Sequence, residues 1–148
     1  MRLRHRHRAI GVLVPGALAV AAICATAAVS STAADSQIKV NLGKPAELSM
    51  RVSASEAKAG EVAFVVRNKG KLEHEFVVLR TKTSAAKLKV SHEEPQTVEE
   101  TGFQAELEGV EAGRAVTFVV RLGKGHYVLL CNIEGHYAGG MRSDLTLR

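Results

Sequence analysis

The chain carries no tryptophan, only two cysteines and three prolines, and its 148 residues leave no room for a two-domain dinucleotide enzyme or a TIM barrel. It also lacks a basic stripe. Four of its 20 lysines and arginines are Arg2, Arg4, Arg6 and Arg8; the 16 that remain face 15 acidic residues, so all but one unit of the formal net charge of +5 sits at the extreme N-terminus. That placement argues against a nucleic-acid partner. No long window shows helical periodicity, and no internal repeat or low-complexity stretch follows residue 34. Hydrophobic residues make up 46% of the chain, enough for a packed core and too many for wholesale disorder.

What is present begins with an export pattern. Arg2 to Arg8 form a basic start, Ala9 to Val29 carry no charge, and Ser30 to Ala34 are small. This is the order of a secretory signal, with Thr32 and Ala34 placed for a cut before Asp35. Residues 1–34 are therefore expected to be a signal peptide and residues 35–148 the folded domain. An uncleaved membrane anchor is the rival, since the apolar run is long enough to span a bilayer; Gly11, Pro15, Gly16 and the alanine-rich end favour processing. No adjacent arginine pair supports the twin-arginine route. Cleavage leaves one cysteine, Cys131. Exported proteins use cysteines in pairs, so an odd one points to a reactive thiol, an intermolecular bridge or a metal ligand.

The rest of the chain reads as an all-β sandwich. Ile38, Val40 and Leu42 alternate with polar residues, as do Leu48, Met50 and Val52. Val62 to Val66, Phe76 to Leu79, Ala115 to Leu122 and Tyr127 to Leu130 are short apolar runs, and Asp144 to Arg148 closes with alternation. Turns at Asn68-Lys69-Gly70, Glu111-Ala112-Gly113 and Gly123-Lys124-Gly125 separate them. Thr81 to Thr101 does not fit. It is basic in its first half (Lys82, Lys87, Lys89) and acidic in its second (Glu93, Glu94, Glu99, Glu100). The simplest expectation is a solvated excursion over one sheet edge, with a short helix at Ser84 to Leu88; the sharper one is a docking surface for a partner.

The chemistry gathers in the last hairpin, where Cys131, His136 and Met141 are spaced C-x4-H-x4-M around a loop with three glycines. One such loop can turn three donors toward one point. His74, at the start of the His74 to Leu79 run, is the candidate fourth ligand, because a sandwich can bring the start of that strand and the last hairpin to one end. Two imidazoles, a thiolate and a weak axial thioether make a trigonal copper site of the blue type. Metal binding there requires a deprotonated Cys131 and neutral histidines, so affinity should fall in acid. The loop spacing alone is a weak signal. Its strength comes from coinciding with an export signal, a lone cysteine, an all-β pattern and an upstream histidine.

Gly125-x-Tyr127-x3-Cys131-x4-His136-x4-Met141, with His74-x-Phe76 upstream, resembles the cupredoxins, the plastocyanin and azurin group of small blue copper proteins, and the x4-x4 spacing looks most like the rusticyanin-type members. The resemblance covers most of residues 38–148. It implies a Greek-key β-sandwich with type 1 copper at one end, ligated by His74, Cys131 and His136 with Met141 axial, and an outer-sphere electron carrier with no substrate of its own. Two positions depart from the pattern. Many members carry Asn after the first histidine, where this chain has Glu75, and Pro before the Gly-His pair, where it has Glu134. Glu134 puts an acid near the edge of His136 and should bias docking toward a basic partner.

The expected partners are redox proteins docking near His136, with no nucleic acid, membrane contact only through an uncleaved N-terminus, and a monomer in solution. An extracytoplasmic copper chaperone or scavenger using the same ligands is the alternative. A metal-free interaction module with Cys131 as a core thiol would leave the glycine-rich loop unexplained. Enzyme readings fare worse. After residue 34 only His74, His92, His126 and His136 remain, too few for a multicopper oxidase or nitrite reductase, and a Cys131–His136 nucleophile gives Met141 and His74 no role. Tyr127 matches the tyrosine corner of sandwich proteins. His126 should face solvent, and His92 with Glu93 and Glu94 should be a solvated loop. Tyr137 fits either packing against the loop or a docking role.

Overall fold

The computed structural model describes residues 33–148, so almost all of the segment read as an export signal lies outside the described residues. Among these residues no helix is long and apolar enough to cross a membrane. The chain forms β1 (Ser36–Leu42), β2 (Met50–Val52), β3 (Glu56–Ala57), β4 (Gly60–Asn68), β5 (His74–Arg80), β6 (Phe103–Val110), β7 (Ala115–Leu122), β8 (Gly125–Leu130) and β9 (Arg142–Leu147), with one helical turn, α1 (His136–Gly139). Sheet 1 runs β2-β1-β4-β7 and sheet 2 runs β3-β9-β8-β5-β6. The chain crosses from sheet 2 to sheet 1 at β6–β7 and back at β7–β8, which makes a Greek-key β-sandwich. Both sheets are mixed: β1 runs parallel to β4, with Ile38 opposite Phe64, and β3 runs parallel to β9.

Period-two geometry sends alternate side chains to opposite faces of a strand. From sheet 1, Ile38, Val40, Leu42, Val62, Phe64 and Val66 point inward; from sheet 2, Phe76, Val78, Tyr127, Leu129 and Leu145 meet them. Phe76 sits at the centre, its ring 5.1 Å from that of Phe64 and 6.3 Å from that of Phe118. These separations suit tilted and edge-to-face aromatic pairs. Tyr127 donates its hydroxyl proton to Gly123 O at 2.7 Å and so pins the β7–β8 turn, as its tyrosine-corner position led one to expect.

The runs in β5 and β8 are continuous rather than alternating, and the structure shows why. Their other residues, Val77, Leu79, Val128 and Leu130, form a second core on the outer face of sheet 2 with Ala85, Val98 and Tyr137. Ala85 and Val98 come from Thr81 to Thr101. That segment is therefore a strap across the face of sheet 2, which corrects the expectation of a solvated excursion over an edge. It carries the expected short helix as a 3₁₀ turn at Ala85–Lys87. Burying each of the four sheet side chains contributes roughly 1.5–3 kcal/mol relative to exposure. β6 is an edge strand with only Val110 fully buried; its alternation of Phe103, Ala105 and Leu107 with Gln104, Glu106 and Glu108 is short and was passed over in the sequence. Leu48 lies just before β2 rather than in it.

Candidate metal centre

The strand layout decides where the donors meet. β5 opens at His74, next to β8 in sheet 2, and β8 ends one residue before Cys131. Cys131 therefore hangs from the inner face at the same end of the sandwich as His74. From there the chain must turn back into β9 within eleven residues, and glycine permits it. Gly135 (φ 80°) and Gly140 (φ 119°) bracket α1 in the left-handed region. Cys131 N donates to Met141 O at 3.0 Å and Met141 N donates to His136 O at 3.1 Å, so backbone bonds link all three loop residues singled out in the sequence.

The donor atoms converge. His74 Nδ1 lies 3.2 Å from His136 Nδ1, and Cys131 Sγ lies 3.3 Å from the same nitrogen. Ligand atoms of His74, Cys131 and His136 all fall within 4.8 Å of one another, and no other such group of His, Cys, Asp and Glu occurs among the described residues. His74 and Cys131 are fully buried and His136 is 8% exposed. Met141, the fourth residue of the pattern, is fully buried in the core cluster that holds Cys131.

Burial sets the protonation states. Both histidines are pushed below the ordinary imidazole range by loss of water, and for His136 the neighbouring His74 adds to the effect. Both rings are thus neutral and free to ligate near neutral pH. Burial pushes the Cys131 thiol up to about 11, against the opposing pull of the Glu75 and Ile133 backbone amides. A metal must displace that proton to bind. The donor set of two neutral imidazoles and one thiol able to become a thiolate, in a water-poor corner, fits copper by ligand softness.

Glu75 stands where the family pattern has Asn, and it still ties the two ligand segments together. Its backbone N–H donates to Cys131 Sγ at 3.4 Å, and its carboxylate oxygen accepts the Asn132 N–H at 2.6 Å. Burial raises this carboxyl to about 7, with the nearby charges of Glu106, Glu100 and Glu108 pushing the same way and the Asn132 N–H opposing.

Three contributors were not singled out in the sequence. Asn132 clamps the strap to the metal loop: its side chain accepts the Val98 N–H at 2.8 Å and donates to Val98 O at 3.0 Å and to Glu100 Oε1 at 2.9 Å. Its adjacency to Cys131 was the available signal. Gln96 accepts the Gly135 N–H on its backbone oxygen at 3.2 Å and donates its side-chain amide to Glu134 at 3.0 Å. Glu47 stands behind His74. Its Oε1 accepts the Lys71 and Leu72 N–H groups at 2.8 and 2.9 Å and lies 3.4 Å from His74 Nε2. Those two amides hold the Glu47 carboxyl below its usual range. No sequence pattern joins Glu47 to His74.

Tyr137 packs, but against the strap and the outer face of sheet 2 rather than against the metal loop. Its hydroxyl donates to Ala85 O at 2.5 Å and accepts the Leu88 N–H at 3.2 Å, and the Arg142 guanidinium sits 4.9 Å above its ring centre. His126 lies on the outer face of sheet 2 but is half-buried, within 2.7 Å of Thr81 O and 2.9 Å of Asp144 Oδ1, where the strap begins.

Comparison with known proteins agrees with this fold. A family model described as the sulfocyanin (SoxE) domain matches residues 19–148. Among solved structures, dithionite-reduced auracyanin from the photosynthetic bacterium Roseiflexus castenholzii is 21% identical over 79% of this chain and 99% of its own, with a TM-score of 0.55. Rusticyanin from Thiobacillus ferrooxidans is 17% identical over 78% and 79%, with a TM-score of 0.60. Auracyanin A from Chloroflexus aurantiacus, described as a "blue" copper protein, is 16% identical over 76% and 98%, with a TM-score of 0.54. At these identities the likeness is one of fold. No protein with a curated description matches.

Proposed function

The chain belongs to the sulfocyanin (SoxE) domain family, a family of cupredoxins, and from that premise we propose that it is an exported electron carrier whose one type 1 copper would be held by His74, Cys131 and His136, with Met141 as the weak fourth donor. The observation that carries this reading is the convergence of two imidazoles and one thiol within 4.8 Å in a buried corner built by packed strands. Copper bound there supplies a one-electron Cu(I)/Cu(II) couple and the intense colour of thiolate-to-copper charge transfer.

The chain's own residues do the rest. β5 holds His74 and the end of β8 holds Cys131 whether or not metal is present. The Glu75 bridge and the Asn132 clamp keep the loop from relaxing, so little moves when charge changes. Little movement means a small reorganisation cost and fast transfer. His136 is the least buried of the three donors, which makes its edge the exit for an electron. Glu134 is exposed beside it, and Glu93, Glu94, Glu99 and Glu100 line an open cavity with Asn132 nearby. This acidic rim suits a redox partner with a basic face. We assign residues 1–34 as the export signal and an extracytoplasmic location to the domain. The chain needs no substrate of its own, so it is a carrier rather than an enzyme.

The test is a visible absorption spectrum of the purified protein after addition of Cu(II). An intense red-light band that bleaches with ascorbate and is absent in Cys131→Ser is expected. A colourless protein that binds Cu(I) tightly would favour copper handover instead, against which the burial of His74 and Cys131 argues. A protein that binds no copper would refute both.

A further inference from the structure

We propose that Glu47 is the positioning residue of the His74 ligand: its carboxylate holds the back of the imidazole so that Nδ1 is presented to the metal, and it sets the balance between the two oxidation states. This rests on the copper reading and goes beyond its ligand set.

The argument begins from a nitrogen without a partner. His74 is fully buried, and its Nε2 is the one buried side-chain nitrogen or oxygen among the described residues that makes no hydrogen bond. Glu47 Oε1 lies 3.4 Å from it, close for a charge but too long and oblique for a formed bond. A neutral imidazole carries one N–H and one lone pair. Nδ1 faces His136 and Cys131, so the lone pair belongs there and the proton belongs on Nε2. A buried N–H needs an acceptor, and the Glu47 carboxylate faces it. The same assignment lets His136 donate its Nδ1 proton to His74 Nδ1 across 3.2 Å in the metal-free protein.

The surroundings hold this arrangement. Glu47 does not hang free, because two backbone N–H groups from the turn ahead of β5 fix Oε1. The turn after β1 closes the space behind the ring. A Cβ on Gly43, where φ is 72°, would stand 2.5 Å from Gly70 Cα and 3.3 Å from His74 Nε2. Glycine at 43 thus lets the two turns approach until Glu47 reaches the imidazole. One oxygen therefore joins the β1–β2 connection, the turn into β5 and the ligand ring.

The chemical consequence has a sign. A carboxylate behind a ligating histidine raises the basicity of the other ring nitrogen. A more basic ligand favours Cu(II) over Cu(I), so wild-type Glu47 lowers the reduction potential. Glu47→Gln keeps an oxygen for the Lys71 and Leu72 amides but removes the charge. It should weaken Cu(II) binding about tenfold relative to Cu(I), equivalent to a rise of about 59 mV. Glu47→Ala removes the acceptor as well and should cost about 10–100-fold in Cu(II) affinity.

The experiment uses the full chain with and without copper. In the metal-free protein, nitrogen NMR should show His74 as the Nε2–H tautomer, and this preference should weaken in Glu47→Ala. In the copper-loaded protein, the potential should rise in Glu47→Gln while the thermal transition of the metal-free form stays near wild type. A His74 Nδ1–H tautomer, or a Glu47→Gln potential equal to wild type, overturns the proposal. If Glu47→Ala fails to fold, the Glu47→Gln potential and the wild-type tautomer still decide. A wild-type chain that takes up no copper would instead refute the copper reading.

Discussion

The two sheets of the sandwich are buried to different depths. In sheet 1, β7 alternates exposed and partly buried residues along its length, and Val119 on its outer face is 55% exposed. In sheet 2, β5 and β8 are buried on both faces, because the strap from Thr81 to Thr101 covers the side that faces away from the core. The doubly buried sheet is the one that carries His74 and leads into Cys131. Sheet 1 is a lid for the core, whereas sheet 2 is the mount for the metal, clamped from both sides. A ligand frame that must not move between two charge states is best hung from the more rigid layer.

That comparison can be sharpened first through proton release. Because burial raises the Cys131 thiol to about 11 and lowers both histidines, a metal arriving at neutral pH meets a thiol and two neutral rings. Copper uptake should therefore release about one proton per site, and apparent affinity should rise about tenfold per pH unit from about 7 toward 10. Calorimetry in buffers of different ionisation enthalpy measures the proton, and competition titrations measure the slope. A pH-independent affinity over that window would mean the thiol is already ionised and the corner less dry than its packing indicates.

The strap can then be tested directly. Leu79→Ala, under the strap, should destabilise the metal-free protein by about 2–5 kcal/mol. Val119→Ala, on the open face of sheet 1, should stay within about 0.5 kcal/mol of wild type. Equal losses in denaturant titrations would break the contrast between the sheets. A smaller effect comes from the clamp. Asn132→Ala strands the Val98 N–H and C=O and should cost about 1–3 kcal/mol, with faster amide exchange at Val98 and copper still bound. The smallest effect belongs to the rim. Glu134→Gln keeps an oxygen for Gln96 and should slow electron transfer to a basic partner by about twofold at low salt, with the difference vanishing at high salt. Stopped-flow kinetics across ionic strength reads both.

Much of this was legible in the residues. Phe76 to Leu79 and Tyr127 to Leu130 read as strands because a continuous apolar run of that length, β-branched and bounded by turns, has few other uses. Cys131 and His136 were singled out, with Met141, because thiol, imidazole and thioether on one short glycine-rich loop coincide with a lone cysteine, an all-β pattern and an upstream histidine; the spacing alone would not have sufficed. β6 was passed over although Phe103, Ala105 and Leu107 alternate with Gln104, Glu106 and Glu108, because the pattern is short, has a small alanine at its middle and runs into Gly109. The strap was misread because its apolar contacts, Ala85 and Val98, are isolated among charges, and nothing local shows that they face a sheet.

The donor types on the last hairpin, the strand pattern and the lone cysteine are local properties, and the sequence by itself determined them, since periodicity and ligand chemistry are written residue by residue. The contact between Glu47 and His74, the bridge from Glu75 to Asn132 and the second face of sheet 2 join positions far apart in the chain. Only the tertiary structure decided these, because a hydrogen bond across a crossover depends on where the sheets bring two backbones together, and no pattern along one segment carries that distance.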